Sequence, residues 1–350
     1  MRPDVPFLVA GDPQQRSGGY GYDRRMVDEL AALGQRVRLE GLPGQFPDTD
    51  ELARRSLDSA LRARADDGVV LLDGLVLGGA ADVVASHAER LRLVAIIHHP
   101  LADETGLDPA VAARLDQGER RALRSVCVVV ATSDHTARRL RAMGVAGAQV
   151  VRPGTDPAAP TPHQRRTRPW QLLCVASVIP RKDYYTLIDA LAELGERDWY
   201  CRCIGSLAAD PDYAWEVQAH LQDRGLGDRV AIVGELDDAG MAAAYHQADV
   251  FVLPTRYEGY GMAFTEALAR GIPVIAGDGG AVRQTVPSHA ARLIQPGDAV
   301  GLARALARFM DEPGERRQLR EGALAARESL PDWTDQAKQL LGVVESVRRG

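Results

Sequence analysis

The chain has 350 residues, a length that fits about two domains, and it is 45% hydrophobic with a formal net charge of −6. That composition can bury substantial cores, which excludes a disordered chain, and the acidic balance argues against a nucleic-acid partner. No run of about 18 apolar residues is present and MRPDVPFLVAGD lacks a secretion-signal pattern, so no membrane span and a cytoplasmic location are expected.

Short apolar runs alternate with amphipathic helix-length runs. PFLVAG (6–11) predicts a strand. In 22–34 the apolar residues Met26, Val27, Leu30 and Leu33 fall at helical spacing, and Gly34 stops the run. Strand RVRLE, helix 51–65, strand VVLLD (69–73), helix 80–90, strand RLVAIIHH (92–99), helix 110–124, strand VCVVVA (126–131) and helix 134–143 follow. The alternation predicts a doubly wound parallel sheet.

It breaks at 151–169, which is Pro-rich and without apolar periodicity, and then restarts. Strands QLLCVAS, YCRCIG, RVAIVG, DVFVLP and PVIA alternate with helices 183–194, 213–224, 237–247 and 262–270. The division is a first Rossmann-like domain (1–155), a linker (156–169), a second Rossmann-like domain (170–332) and a C-terminal helix (333–350) that could cross back to the first. The cysteines Cys127, Cys174, Cys201 and Cys203 each sit in a strand-like run without a CxxC, so buried free thiols are expected.

Two such domains would face a central cleft with their strand ends, where ligands of these folds bind. Gly18, Gly19 and Gly21 follow the first strand and precede a helix, so their amides could approach an anion. A flexible loop is the plainer alternative. His98 and His99 end the fourth strand; successive residues alternate faces, so one of them points into the cleft. Arg181 and Lys182 precede a helix with Asp183 as its N-cap, and adjacent cations suit a diphosphate. In RYEGYGMAFTEALARGIPVIA, Glu258 and Glu266 flank the amides of Gly261, Met262 and Ala263 at a helix start. Glu266 there also suits the helix dipole. Two carboxylates around a patch of amide donors would hold a ligand with hydroxyls at both ends and an anion between them, as a sugar nucleotide has.

The GG loop, ATSDHTARRL, VVRPGTD, the RK pair and GELDDAGMAAAYHQADVFVLPTRYEGYGMAFTEALARGIPVIAGDGG together resemble the retaining glycosyltransferases of family 4, which have the GT-B fold. The resemblance implies that Gly18, Gly19, Arg181 and Lys182 hold the donor diphosphate. Glu258 would bind donor-sugar hydroxyls and Glu266 the ribose. Gly261, Met262 and Ala263 would line the sugar and phosphate, and the base would lie near Leu236. His98, with His99 as the alternative, would stand near the donor sugar; His98, Glu258, Arg181 and Lys182 form the implied catalytic set. Two departures are present: Asp183 replaces the glycine of RKG, and GGAVRQ lacks the glutamate of GGxxE.

The implied reaction moves a hexose from a nucleoside diphosphate sugar to an acceptor hydroxyl with retention. A UDP-sugar is favoured as donor, with GDP-mannose as the alternative; no cofactor and no metal are expected. Asp48-Thr49-Asp50 resembles a metal-binding DxD but runs straight into helix 51–65, where N-capping is the better reading. A nucleotide-sugar epimerase and a non-catalytic nucleotide-sugar-binding protein are the rivals. His99, Asp73 and Glu104 are the acceptor candidates, and the acceptor is expected to be a soluble small molecule. Arg54, Arg55, Arg62 and Arg64 would allow peripheral contact with anionic lipid, against a mixed-charge solvated face. Oligomeric state is left open.

Overall fold

The structure, a computed structural model, describes residues 4–161 and 169–349. Contacts divide the chain into two compact units, Met1–Gly154 with Pro331–Gly350, and Thr155–Leu330.

The first unit contains β1 (Val5–Ala10), α1 (Gly18–Ala32), β2 (Val37–Leu42), α2 (Glu51–Arg62), β3 (Val69–Asp73), α3 (Gly74–Gly78), α4 (Ala81–His87), β4 (Arg92–Ile97), α5 (Pro109–Leu123), β5 (Val128–Ala131), α6 (Asp134–Ala142) and β6 (Gln149–Val150). The strands form one parallel sheet in the order β2-β1-β3-β4-β5-β6. Strands β1 and β3 are buried along their whole length, as a parallel sheet covered on both faces requires. The strand order reverses between β1 and β3, so the loops leaving these strands frame a crevice.

Local chemistry sets the helix boundaries. Gly34, with φ +79°, follows α1 in a conformation that L side chains avoid. Asp50 caps α2 by accepting from the Ala53 amide at 2.7 Å, and Asp48 lies 2.6 Å from Arg114, so both acids of the DxD sequence have structural partners. The α2 arginines are also paired: Arg54 with Asp82, Arg55 with Glu51, Arg62 with Asp58 and Arg64 with Glu40. The expected helix 80–90 is the shorter α4, and a short helix that was not expected, α3, precedes it. Asp73 caps α3 by accepting from the Leu75 amide at 2.8 Å, and α4 starts at Ala81 after Gly79. Gly79 must stay small, because a Cβ there would meet the Pro47 carbonyl oxygen at 1.8 Å.

The second unit contains β7 (Trp170–Val175), α7 (Tyr184–Ala192), β8 (Trp199–Ile204), α8 (Pro211–Asp223), β9 (Val230–Ile232), α9 (Asp238–Gln247), β10 (Val250–Leu253), α10 (Met262–Ala269), β11 (Val274–Gly277), α11 (Val282–Thr285), β12 (Ala291–Ile294), α12 (Ala299–Asp311) and α13 (Pro313–Ala326). Its parallel sheet runs β12-β11-β10-β7-β8-β9 and reverses between β7 and β10. Arg181 and Lys182 leave β7, and Glu258 leaves β10. The last helix, α14 (Trp333–Arg349), belongs to the first unit. There the Trp333 ring lies 6.2 Å from that of Tyr22, and Thr334 donates to Glu29 at 3.0 Å.

Part of the Pro-rich segment, 162–168, lies outside the described residues. Residues 151–154 belong to the first unit, and the described part from Thr155 on to the second: the Thr161 amide donates to Arg270 at 2.8 Å, and Arg327 donates to Ala158 at 2.9 Å. Cys174, Cys201 and Cys203 are buried free thiols, but Cys127 is exposed. The expectation for Cys127 fails because β5 begins one residue later, so its side chain lies outside the sheet's covered part. Among the described residues no helix is long and apolar enough to cross a membrane.

Candidate active site

In the first unit, α1 starts at Gly18, four residues before its apolar stripe. Its leading amides have no carbonyl one turn back. Gly19 lies against the His98 ring, since a Cβ there would come within 3.3 Å of His98 Cδ2. His98 Nε2 is 3.1 Å from Asp23 Oδ1 and 3.4 Å from Asp73 Oδ2. The Tyr22 ring meets the imidazole edge-on at 5.3 Å. Burial works against the His98 charge, but Asp23, by charge and hydrogen bond, and Asp73 outweigh it and raise its pKa. Burial, with the Asp23 charge adding to it, pushes the Asp73 carboxyl up.

His98 is therefore the histidine gathered with Gly19 and Asp73. His99 instead places Nε2 3.4 Å from Glu104 Oε2. Asp23, Asp73 and His98 each offer a ligand atom within 4.8 Å of the others, so these three residues could also hold a cation.

Behind this loop lies Glu119 of α5, which the sequence reading missed. It is fully buried; Oε2 accepts from the Leu101 amide at 3.0 Å, and Oε1 has no hydrogen-bond partner among the described residues. Burial pushes its carboxyl up to about 8, against the Leu101 N–H and Arg120 and with the charges of Asp103 and Asp116. A folded-state pKa raised this way means the folded protein holds the proton more tightly than the unfolded chain. Its contribution to stability is complete below the ordinary carboxyl range and is lost as pH rises through about 8. Glu119→Gln keeps an acceptor for Leu101 and cannot ionise. Its thermal midpoint should fall less than that of wild type between about pH 5 and about pH 9, followed by scanning calorimetry. Parallel curves for the two proteins would contradict a protonated Glu119.

In the second unit, Arg181 and Lys182 occupy a single 3₁₀ turn, Pro180–Lys182. The turn lies against the segment after β10. The Arg256 amide donates to the Arg181 carbonyl at 2.8 Å, and Arg181 Nη1 donates to the Tyr257 carbonyl at 3.0 Å. Lys182 Nζ donates to Glu258 Oε1 at 2.6 Å, with Arg181 Nη1 3.5 Å from Oε2. Glu258 is only 4% exposed, so its charge depends on these partners. Burial alone would raise its pKa, but Lys182 and then Arg181 outweigh that and lower it.

Gly279 and Gly280 support Glu258 from behind. Glu258 bridges to Gly280, and a Cβ on Gly280 would lie 2.3 Å from the Glu258 carbonyl oxygen. Arg283, at the place of the missing GGxxE glutamate, pairs with Asp278.

Gly261, with φ +92°, stands at the N-cap of α10, and a Cβ there would strike the Phe264 ring at 2.6 Å. The amides of Gly261, Met262 and Ala263 lead this helix without intrahelical acceptors. Glu266 follows, partly buried, with Oε2 accepting from Tyr245 Oη at 2.7 Å. Burial raises its pKa, opposed by Tyr245 and Arg270. Leu236 lies partly buried just before α9, against Gly240. The Asp183 expectation needs correcting: it stands at the N-cap of α7, but its side chain caps no amide. Its carboxylate goes to Arg256 and Thr186 instead.

Residues 156–325 match the family described as "Glycosyl transferases group 1". The chain is 27% identical over 319 residues to the MMP alpha-(1->4)-mannosyltransferase of Mycolicibacterium hassiacum, covering 86% of this chain and 76% of that protein. The chain has the GT-B fold, and the family match lies within its second unit. A second relative, the phosphatidyl-myo-inositol mannosyltransferase of Mycobacterium leprae, is 34% identical over 173 residues, which is 48% of this chain and 44% of that protein. Among solved structures, the sucrose-phosphate synthase of Thermosynechococcus elongatus matches the fold with a TM-score of 0.81 at 22% identity, over 99% of both chains.

Besides Glu119, sequence reasoning missed Asp23, Tyr245 and Arg256. Asp23 carried a signal: it stands three residues before Met26 and seven before Leu30, an acid on the buried stripe of α1. Tyr245 and Arg256 reach their partners across the fold, and no local pattern marks them.

Proposed function

We propose that this protein is a glycosyltransferase that moves a hexose from a nucleoside diphosphate sugar to an acceptor hydroxyl with retention of anomeric configuration. The carrying observation is the Lys182–Glu258 contact at 2.6 Å, beside Arg181 and ahead of the leading amides of α10. Two cations and a row of amide donors suit a diphosphate, and the flanking carboxylates Glu258 and Glu266 suit hexose and ribose hydroxyls. As the glycosidic bond breaks, the sugar gains oxocarbenium character and the diphosphate gains charge, which Arg181 and Lys182 stabilise. The acceptor attacks from the face of the leaving group, and its proton passes to the departing phosphate oxygen.

The names of the two mannosyltransferase relatives favour mannose as the sugar, so GDP-mannose stands beside the UDP-hexoses as a donor. In the first unit, Asp23 and Asp73 beside His98 are suited to accept from an acceptor hydroxyl, and the acceptor is a soluble small molecule. The test is a donor panel, with and without acceptors, followed by chromatography of both nucleotide and sugar. Transfer predicts acceptor-dependent release of nucleoside diphosphate. An epimerised sugar with intact nucleotide would establish the epimerase reading, and binding without turnover a binding protein.

The reaction is proposed to be metal-independent, because Arg181 and Lys182 supply positive charge at the leaving group. Activity in excess EDTA should stay within about threefold of that with magnesium, as two fixed cations can replace the ion electrostatically. Complete loss reversed by added metal would contradict this and direct attention to Asp23, Asp73 and His98.

A further inference from the structure

The turn carrying Arg181 and Lys182 ends on Asp183, which has φ +55° and ψ +53°. L side chains are disfavoured in this left-handed region, although Asp tolerates it better than most. Something must hold the residue there. Asp183 is 2% exposed, and its carboxylate is engaged on both oxygens. Oδ2 accepts from Thr186 Oγ1 at 2.8 Å and lies 3.0 Å from Arg256 Nε, while Oδ1 accepts from Arg256 Nη2 at 3.3 Å.

Arg256 stands two residues before Glu258, and its own amide donates to the Arg181 carbonyl at 2.8 Å. Thr255 Oγ1 lies 3.1 Å from the same carbonyl. One residue therefore grips the turn at both ends: its backbone holds Arg181, and its guanidinium forks onto Asp183. The guanidinium extends past Gly297, where a Cβ would lie 3.6 Å from Nη2, and it is about half exposed.

We propose that Arg256 is a positioning residue, acting through Asp183 to hold the Arg181–Lys182 turn in register with Glu258. The two cations then meet the donor diphosphate without first having to be ordered. This rests on the donor reading given under the proposed function. Glycine at position 183 would adopt the same backbone without strain, so Asp183→Gly removes the carboxylate while leaving the turn accessible.

The test is calorimetric titration of UDP, GDP, UMP and GMP into wild type, Asp183→Gly, Arg256→Ala and the double variant, with thermal midpoints recorded for each. Each single variant should bind the nucleoside diphosphate about fivefold to tenfold more weakly, the scale of a half-exposed charged pair. The double variant should be no weaker than either single one, because both remove the same coupling. Monophosphate affinity should stay near wild type, while the thermal midpoint of Arg256→Ala, which leaves a buried carboxylate without its cation, should fall below that of the double variant. Arg256→Lys, which keeps the charge but loses the fork, should fall between wild type and Arg256→Ala.

Losses that multiply in the double variant would overturn the proposal and mark Arg256 as a direct phosphate ligand. Equal losses for mono- and diphosphates, or no loss, would also overturn it. Wild-type protein that binds neither UDP nor GDP would overturn the donor reading itself, and this proposal with it.

Discussion

Glu258→Ala is expected to lower turnover by about tenfold to a hundredfold, the cost of about 1.5–3 kcal/mol for a lost charged hydrogen-bond set. The loss should appear in kcat, because this carboxylate is proposed to grip the sugar that reacts, and a grip that tightens at the transition state acts on turnover. Binding of UDP or GDP, which carry no sugar, should hold or tighten. In the free protein Glu258 takes up Lys182 at 2.6 Å and lies near Arg181, so removing it releases both cations for phosphate. Glu258→Gln separates charge from shape: it keeps an acceptor of the same length but no longer competes for Lys182. Steady-state kinetics with calorimetry checks the pair of outcomes. A variant that loses nucleoside diphosphate affinity while keeping wild-type kcat would reverse the assignment of Glu258.

Glu266→Ala should show the opposite pattern, with nucleoside diphosphate binding weakened by about tenfold to a hundredfold through loss of a charged acceptor pair. Tyr245 fixes this carboxylate by donating to Oε2 at 2.7 Å, and the Arg270 guanidinium lies 4.4 Å from the Tyr245 ring centre. Tyr245→Phe should therefore weaken binding in the same direction by a smaller factor. The penalty of Glu266→Ala should shrink for 2′-deoxy nucleotides, which lack one of the hydroxyls to be held. A pH dependence follows from the raised pKa of Glu266, caused by burial. Acidification protonates this carboxyl earlier than an ordinary one, so wild-type affinity should fall on the acid side of neutrality, and Glu266→Gln should lack that component. Calorimetry across pH with both proteins separates it from titration of the nucleotide phosphate. Wild-type affinity for ribonucleotides in Glu266→Ala would remove the ribose assignment.

The strands were legible because a parallel sheet covered on both faces needs continuous apolar runs, and VPFLVA or VFVL allow little else. Helix starts were less so. GLVLG was assigned to no element, yet Asp73 caps it into α3, and that role uses an oxygen which sequence reasoning had left free for an acceptor. β12, ARLI, was missed although Pro296 and Gly297 mark a turn just after it, because four residues are too few to show a strand period. The spacing of Glu258 and Glu266 was readable along the chain. The neutralisation of Glu258 was not: Lys182 lies 76 residues away, and only the reversal between β7 and β10 brings the two together. Asp183 shows the limit of local rules most clearly. An acid before a helix predicts a cap, but the turn forces it left-handed, and its carboxylate then serves Arg256.

The central claim is that the second unit holds a nucleoside diphosphate sugar along the line from Glu266 to Glu258. A crystal structure with the bound donor tests it most directly. The account predicts ribose hydroxyls on Glu266, hexose hydroxyls on Glu258, and the diphosphate between the α10 amides and Arg181. Lys182 Nζ should have left Glu258 for a phosphate oxygen. A donor bound with its ribose away from Glu266, or with Lys182 still on Glu258 and its phosphates elsewhere, would contradict the account.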